Sequence, residues 1–212
     1  MKSNTKILLA LSIATASLLM NTKASRAEPI RGREVSLSDR VEEVEQTEDE
    51  EPVFGKKGYK TWYIQGAAAT TLDNLEPDPR RFGLVGVGIS EFLFNRHSIN
   101  LEFNTIYFDQ PGENAVGFNL NLLGRWHFVQ KENWSTYFDA GAGVMGTTND
   151  VPRRAAGFNF TPQLGGGVSI KLNPDRHLLL GLRWHHISHG ETFGRNPGRD
   201  SLMGYVRLDL PR

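Results

Sequence analysis

A period of two governs most of this sequence. From Lys57 onward apolar and polar residues alternate through eight stretches: 59–70, 82–92, 98–108, 116–128, 134–144, 156–172, 178–188 and 200–210. Side chains on a strand point alternately to its two faces, so each stretch has an apolar face and a polar one. In the third stretch Ile99, Leu101, Phe103 and Tyr107 oppose Asn100, Glu102 and Asn104. In the fourth, Val116, Phe118, Leu120, Leu122 and Trp126 oppose Asn119, Asn121, Arg125 and His127. Turn-forming segments such as Pro77-Asp78-Pro79, Gln110-Pro111-Gly112 and Asn196-Pro197-Gly198 part the stretches. Each stretch reaches the length of about 9 to 11 residues that a tilted membrane strand needs.

Alternation alone does not say which face is outside. In a soluble barrel the apolar face lines the lumen, where a greasy ligand can sit. In a membrane barrel the apolar face meets lipid and the polar face fills the interior. Two features favour the membrane. Aromatic residues stand near strand ends, at Trp62, Phe82, Phe92, Tyr107, Trp126, Phe128, Trp134 and Trp184, where interfacial girdles belong. Large Leu and Phe side chains also occupy the apolar face of nearly every strand, and they would overfill the narrow interior of an eight-stranded barrel. The expected fold is all-β, an eight-stranded antiparallel transmembrane β-barrel over residues 58–212. A soluble periplasmic lipocalin-like binder is the alternative.

The N-terminus reads as export machinery. Lys2 and Lys6 precede a largely apolar run over residues 7–20, and Ser25-Arg26-Ala27 offers small residues where a signal peptidase cuts. Residues 1–27 are therefore expected to be a signal peptide. Residues 28–57 follow as an acidic disordered linker. Residues 42–51 within it read EEVEQTEDEE, with almost nothing to bury and many like charges to repel. No later segment has the roughly 18 consecutive apolar residues of a membrane helix. The formal net charge is zero, which gives no footprint for nucleic acid. The chain has no cysteine, which excludes disulfides, thiolate metal sites and cysteine nucleophiles.

Chemistry concentrates in residues 183–200, RWHHISHGETFGRNPGRD. His186 and Ser188 lie two apart, so they share a strand face with Leu178, Leu180, Leu182 and Trp184, the apolar one. Asp200 opens the next stretch on the face of Leu202, Val206, Leu208 and Leu210. Three polar groups thus converge at the edge of a greasy surface. Both termini of an even-stranded barrel lie on the periplasmic side, so this hairpin is expected outside the cell, facing the outer leaflet. A serine hydroxyl needs a base, an imidazole can supply it, and a carboxylate can fix the imidazole's tautomer. Ser188 is then nucleophile, His186 base and Asp200 the carboxylate. The Gly190 amide and the Asn196 side chain are candidate oxyanion donors. By parity His185 faces the lumen, while His189 and Glu191 are expected to be solvated loop residues.

The run His186-Ile187-Ser188, then Gly190, Asn196-Pro197-Gly198 and Asp200, resembles the lipid A 3-O-deacylase (PagL) family. The resemblance implies an eight-stranded outer-membrane barrel that removes an ester-linked acyl chain from lipid A with no metal or other cofactor. It implies His186 as base, Ser188 as nucleophile and Asp200 as acid, with Gly190 and Asn196 in the oxyanion hole. The implied partners are lipopolysaccharide as substrate and the surrounding outer-membrane lipids. His189 stands where the family has asparagine, and Asp200 where its best-known members have glutamate. The chain ends Leu210-Pro211-Arg212 instead of on an aromatic residue. A non-catalytic structural or adhesive barrel remains the other reading of the same residues.

Overall fold

The computed structural model describes residues 53–72, 80–192, 194 and 196–212. The expected signal peptide, and the linker as far as residue 52, lie outside the described residues. The chain forms β1 (Lys60–Thr71), β2 (Arg81–Phe94), β3 (His97–Asp109), β4 (Ala115–Gln130), β5 (Trp134–Thr147), β6 (Phe158–Phe160), β7 (Gln163–Asn173), β8 (Arg176–Ile187) and β9 (Arg199–Pro211). Sequential neighbours pair antiparallel, and β1 pairs with β9, so the sheet closes on itself.

The nine segments make eight staves. Gln163 pairs with Gly141 and Phe160 with Val144, so β6 and β7 keep one register against β5. The same holds against β8, where Gln163 faces His185 and Phe160 bridges to Ser188. Only Thr161 and Pro162 interrupt the assignment. Pro162 has no N–H for the ladder, which is why the sixth stave is broken in two.

The faces answer the question that alternation left open. Along β4 burial alternates almost without fault, and Val116, Phe118, Leu120, Leu122 and Trp126 are exposed while Asn119, Asn121, Arg125 and His127 are buried. The apolar face is outside on every stave, so the barrel is a transmembrane one and the lipocalin-like alternative fails. Two girdle assignments change. Phe82 and Phe92 are buried. On β2 the outward positions are those of Val85 and Val87, so Phe82 and Phe92, of the opposite parity, point into the lumen.

The lower lumen is a network of paired charges. Arg183 donates to both oxygens of Glu102 at 3.1 Å and to Asp139 at 3.0 Å. Arg125 donates to the two Asp139 oxygens at 2.6 and 2.9 Å, and the Tyr205 hydroxyl donates to Asp139 at 2.8 Å. Each carboxylate has its cations within reach, as buried charge requires. Gly181 makes room for this layer, because a Cβ there would lie 2.6 Å from the Tyr205 ring.

The upper lumen, towards the β8–β9 loop, is mainly apolar, with His185, Arg199 and Ser201 buried within it. Phe82, Leu84, Ile106, Phe108, Met145, Val151, Ile187 and Met203 pack there as one cluster. The polar set therefore fills only part of the interior. The ends of the barrel differ too. Residues 95–96, 131–133 and 174–175 are tight turns at the end where β1 starts and β9 finishes. At the other end the strands are joined by longer stretches of sequence, between β1 and β2, β3 and β4, β5 and β6, and β8 and β9. Residues 53–59, which span the end of the expected linker and the start of the first stretch, pack across the turn end. The Arg96 amide donates to the Gly55 carbonyl at 2.8 Å, and the Phe54 ring stacks on His177 at 3.8 Å.

Candidate active site

Strand register assembles the centre of the site. His186 on β8 and Asp200 on β9 are direct cross-strand partners. The His186 amide donates sideways to the Pro162 carbonyl at 3.0 Å, and the Leu72 amide donates to the Asp200 carbonyl at 2.9 Å. Both residues thus turn their backbone groups away from each other. They form a non-hydrogen-bonded antiparallel pair, the kind whose Cα atoms approach to about 4.5 Å. Their side chains share the outer face and meet there, with His186 Nδ1 2.8 Å from Asp200 Oδ1. At so close a pairing the short aspartate suffices to reach the ring.

The pair is partly open, with side-chain exposures of 26% for His186 and 49% for Asp200. The Trp184 ring stacks on the imidazole at 5.5 Å. Gly198, at φ +60°, sits behind the ring. A Cβ there would lie 3.5 Å from His186 Cε1. An Nδ1 engaged by carboxylate leaves Nε2 as the ring's working nitrogen.

Ser188 follows two residues on, half-buried, on the same face. Its backbone is pinned to β6 in both directions, Phe160 N to Ser188 O at 2.7 Å and Ser188 N to Phe160 O at 3.1 Å. Its hydroxyl makes no hydrogen bond to His186 among the described residues. Gly190, at φ +60°, is exposed at the start of the loop. The Asn196 side-chain oxygen accepts from the His189 amide at 3.4 Å, which turns its NH2 towards other acceptors.

His189 overturns its expectation. It is fully buried. The chain folds back after Ser188, with Thr192 N donating to His189 O at 3.1 Å, and this turn tucks residue 189 under the loop. His185 faces the lumen, as parity requires, 5.2 Å from the Phe82 ring. Three neighbours of His186 have no role at the site in the sequence reading: Pro162, Trp184 and Gly198. Parity places Trp184 on the face of His186, and the structure puts its ring against the imidazole; Pro162, between β6 and β7, is brought alongside only by the closed sheet. Among the described residues no group of three His, Asp or Glu side chains could hold a metal ion.

Fold and rim together define a class: a membrane-embedded eight-stranded barrel whose lipid-facing edge carries a carboxylate–imidazole pair beside a hydroxyl. The comparisons with known proteins narrow it. A family model described as lipid A 3-O-deacylase (PagL) matches residues 50–209. The chain belongs to that family. No curated protein matches the chain. The solved outer membrane enzyme PagL has a similar structure, with a TM-score of 0.53 and 14% identity over 72% of this chain and 99% of that one. Neisserial surface protein A (NspA) is similar too, with a TM-score of 0.52 and 13% identity over 72% of this chain and 97% of that one. At such identities these two structures share the fold with this chain. Fold and family make the chain a barrel of the bacterial outer membrane.

Proposed function

We propose that the protein hydrolyses an ester-linked acyl chain of lipid A, with Ser188, His186 and Asp200 as a catalytic triad. The observation that carries this reading is the 2.8 Å His186–Asp200 pair on the lipid face of the loop-bearing end. A carboxylate hydrogen-bonded to an imidazole beside a hydroxyl is the arrangement that orients a general base.

The chemistry follows from the placement. His186 Nε2 takes the Ser188 proton as the hydroxyl oxygen attacks the ester carbonyl. The Asp200 carboxylate holds the ring's tautomer and stabilises the imidazolium. The Gly190 amide and the Asn196 NH2 hold the oxyanion. Collapse of the tetrahedral intermediate expels the sugar alcohol, which takes the proton from His186. Water, deprotonated by the same imidazole, then frees the fatty acid and restores Ser188. The acyl chain rests meanwhile on the outward column of Trp184, Leu182 and Leu180, the last two well exposed.

The site faces the outer leaflet in this reading. Long connections lie outside in such barrels and short turns in the periplasm. The triad lies at the end with long connections, so its substrate is the lipopolysaccharide of that leaflet. An epitope inserted beside Gly194 is expected to be reachable on intact cells; labelling only after permeabilisation would contradict the orientation.

A catalytically silent barrel is the second reading, favoured by the missing hydrogen bond between Ser188 and His186. Catalytic hydrogen bonds are often loose before substrate binds. The deciding experiment is release of free fatty acid from purified lipopolysaccharide in detergent with a chelator present. The wild-type chain should release it, and Ser188→Ala and His186→Ala should not while still folding. No release by the wild-type chain would favour the silent barrel.

A further inference from the structure

The end of the barrel opposite the triad holds a cavity of about 400 Å³ that the deacylase reading leaves unused. Two of its walls are polar side chains sealed from solvent. Ser169 is fully buried and His177 is 96% buried (relative exposure 4%). Ser169 and His177 line this space, and their Oγ and Nδ1 atoms have no hydrogen-bond partner among the described residues. Orphaned buried polar atoms are costly, and two at one cavity point to a ligand that satisfies them.

The rim tells which ligand. Lys56, Lys131 and Lys171 surround the cavity against a single carboxylate, Glu132. An ammonium only donates, while a hydroxyl and an imidazole N–H can both donate, so the set is built for an acceptor-rich anion. Backbone pairing brings two of the lysines together. The Lys131 amide donates to the Trp134 carbonyl and the Lys171 amide to the Asn133 carbonyl, each at 2.8 Å. Trp134 also lines the cavity, yet its ring is 43% exposed on the lipid face. The cavity therefore runs from the buried mouth of the lumen to the girdle where Trp marks the membrane–water interface. Phe54, stacked on His177, forms its inner wall.

We propose that this cavity binds the phosphate-bearing headgroup of a membrane phospholipid. The phosphate lies among Lys131, Lys171 and Lys56, with Ser169 and His177 donating from the floor, and the glycerol leaves past Trp134 into the bilayer. With the orientation proposed above the lipid comes from the inner leaflet, but binding in a symmetric bilayer is independent of that orientation and of deacylase activity.

The test uses the full chain in nanodiscs of mixed phospholipid, released into the gas phase for native mass spectrometry. One phospholipid should stay bound per chain. Lys131→Gln with Lys171→Gln should lower that occupancy on the order of tenfold, since each lysine near a membrane surface attracts anionic lipid. Ser169→Val should lower it as well, and Lys60→Gln, at the same end beside Glu91, should not. Heat-modifiable migration checks that every variant folds. Equal retention by the wild-type chain and the double-lysine variant would overturn the proposal. So would full displacement of lipid by millimolar inorganic phosphate, which would make this a site for the free ion. The acidic residues 42–51 precede the cavity in the chain and are a rival occupant. If lipid binds only after their carboxylates are neutralised to amides, the cavity belongs to that segment and the proposal fails.

Discussion

His185 and His186 are neighbours in sequence and belong to different worlds. His185 points into the lumen and is buried beside Phe82; His186 points into lipid at the rim, partly open and bonded to Asp200. The contrast extends along the β8–β9 hairpin. On its lumen face Arg183, Tyr205 and Arg207 are buried in polar and charged pairs with other staves. On its lipid face Leu180, Leu182 and Val206 are exposed, and polar groups occur only at the end. The lumen face holds the barrel together, and the rim of the lipid face can change without unfolding it. Stability and activity are therefore separable between the lumen face and the rim of the lipid face, and substitutions at Asp200, Arg183, Leu180 and Gly181 probe that separation.

The largest effect is expected on the lipid face, in activity alone. Asp200→Asn keeps a polar partner for His186 but removes the charge that, in the proposed triad, stabilises imidazolium. Fatty-acid release should fall by about 10³- to 10⁴-fold, with folding unchanged on a heat-modifiability gel. Asp200→Glu should retain much of the rate. Equal rates with Asp, Glu and Asn would take Asp200 out of the mechanism.

The next largest lies in the lumen. Arg183→Met strands Glu102 in the interior and takes from Asp139 one of its two arginines, and removing one partner of a buried pair costs about 3–5 kcal/mol. Urea unfolding in lipid vesicles reads this directly. Adding Glu102→Gln should recover part of the loss, and no recovery would mean that the arginine acts by packing.

Leu180→Arg tests the lipid face at mid-strand, with an expected cost of about 2–4 kcal/mol in the same assay. A variant as stable as wild type would show that this face does not meet hydrocarbon. Gly181→Ala is the smallest change and faces the other way. Its Cβ meets the Tyr205 ring, and overpacking a filled interior costs about 1–3 kcal/mol. A neutral outcome would mean that the tyrosine layer can shift.

Much of this contrast is legible in the amino-acid sequence alone. Period-two alternation marks each stave because the two environments, lipid and lumen, are on opposite sides of one strand. It puts His186, Ser188 and Asp200 on a shared face, and register then brings two of them into contact. What the pattern hides depends on the closed sheet or on chain reversal. Phe82 has the marks of a girdle residue because it is aromatic near a strand end, but its parity matches Leu84 and the lumen. Ile106 and Phe108 carry the parity of Asn100 and Glu102, a sign that the polar interior gives way to an apolar one. His189 reads as solvated because loops usually are, and only the turn after Ser188 buries it.

The central claim, that the rim of the lipid face is an esterase acting on lipid A, has one most direct test. Lipid A is extracted from cells of a lipopolysaccharide-bearing host that produce either the wild-type chain or Ser188→Ala at equal levels in the outer membrane, and its mass is measured. The wild-type cells should show lipid A lighter by one acyl chain, and the Ser188→Ala cells should show it intact. Intact lipid A in both, or the same loss in both, would contradict the account.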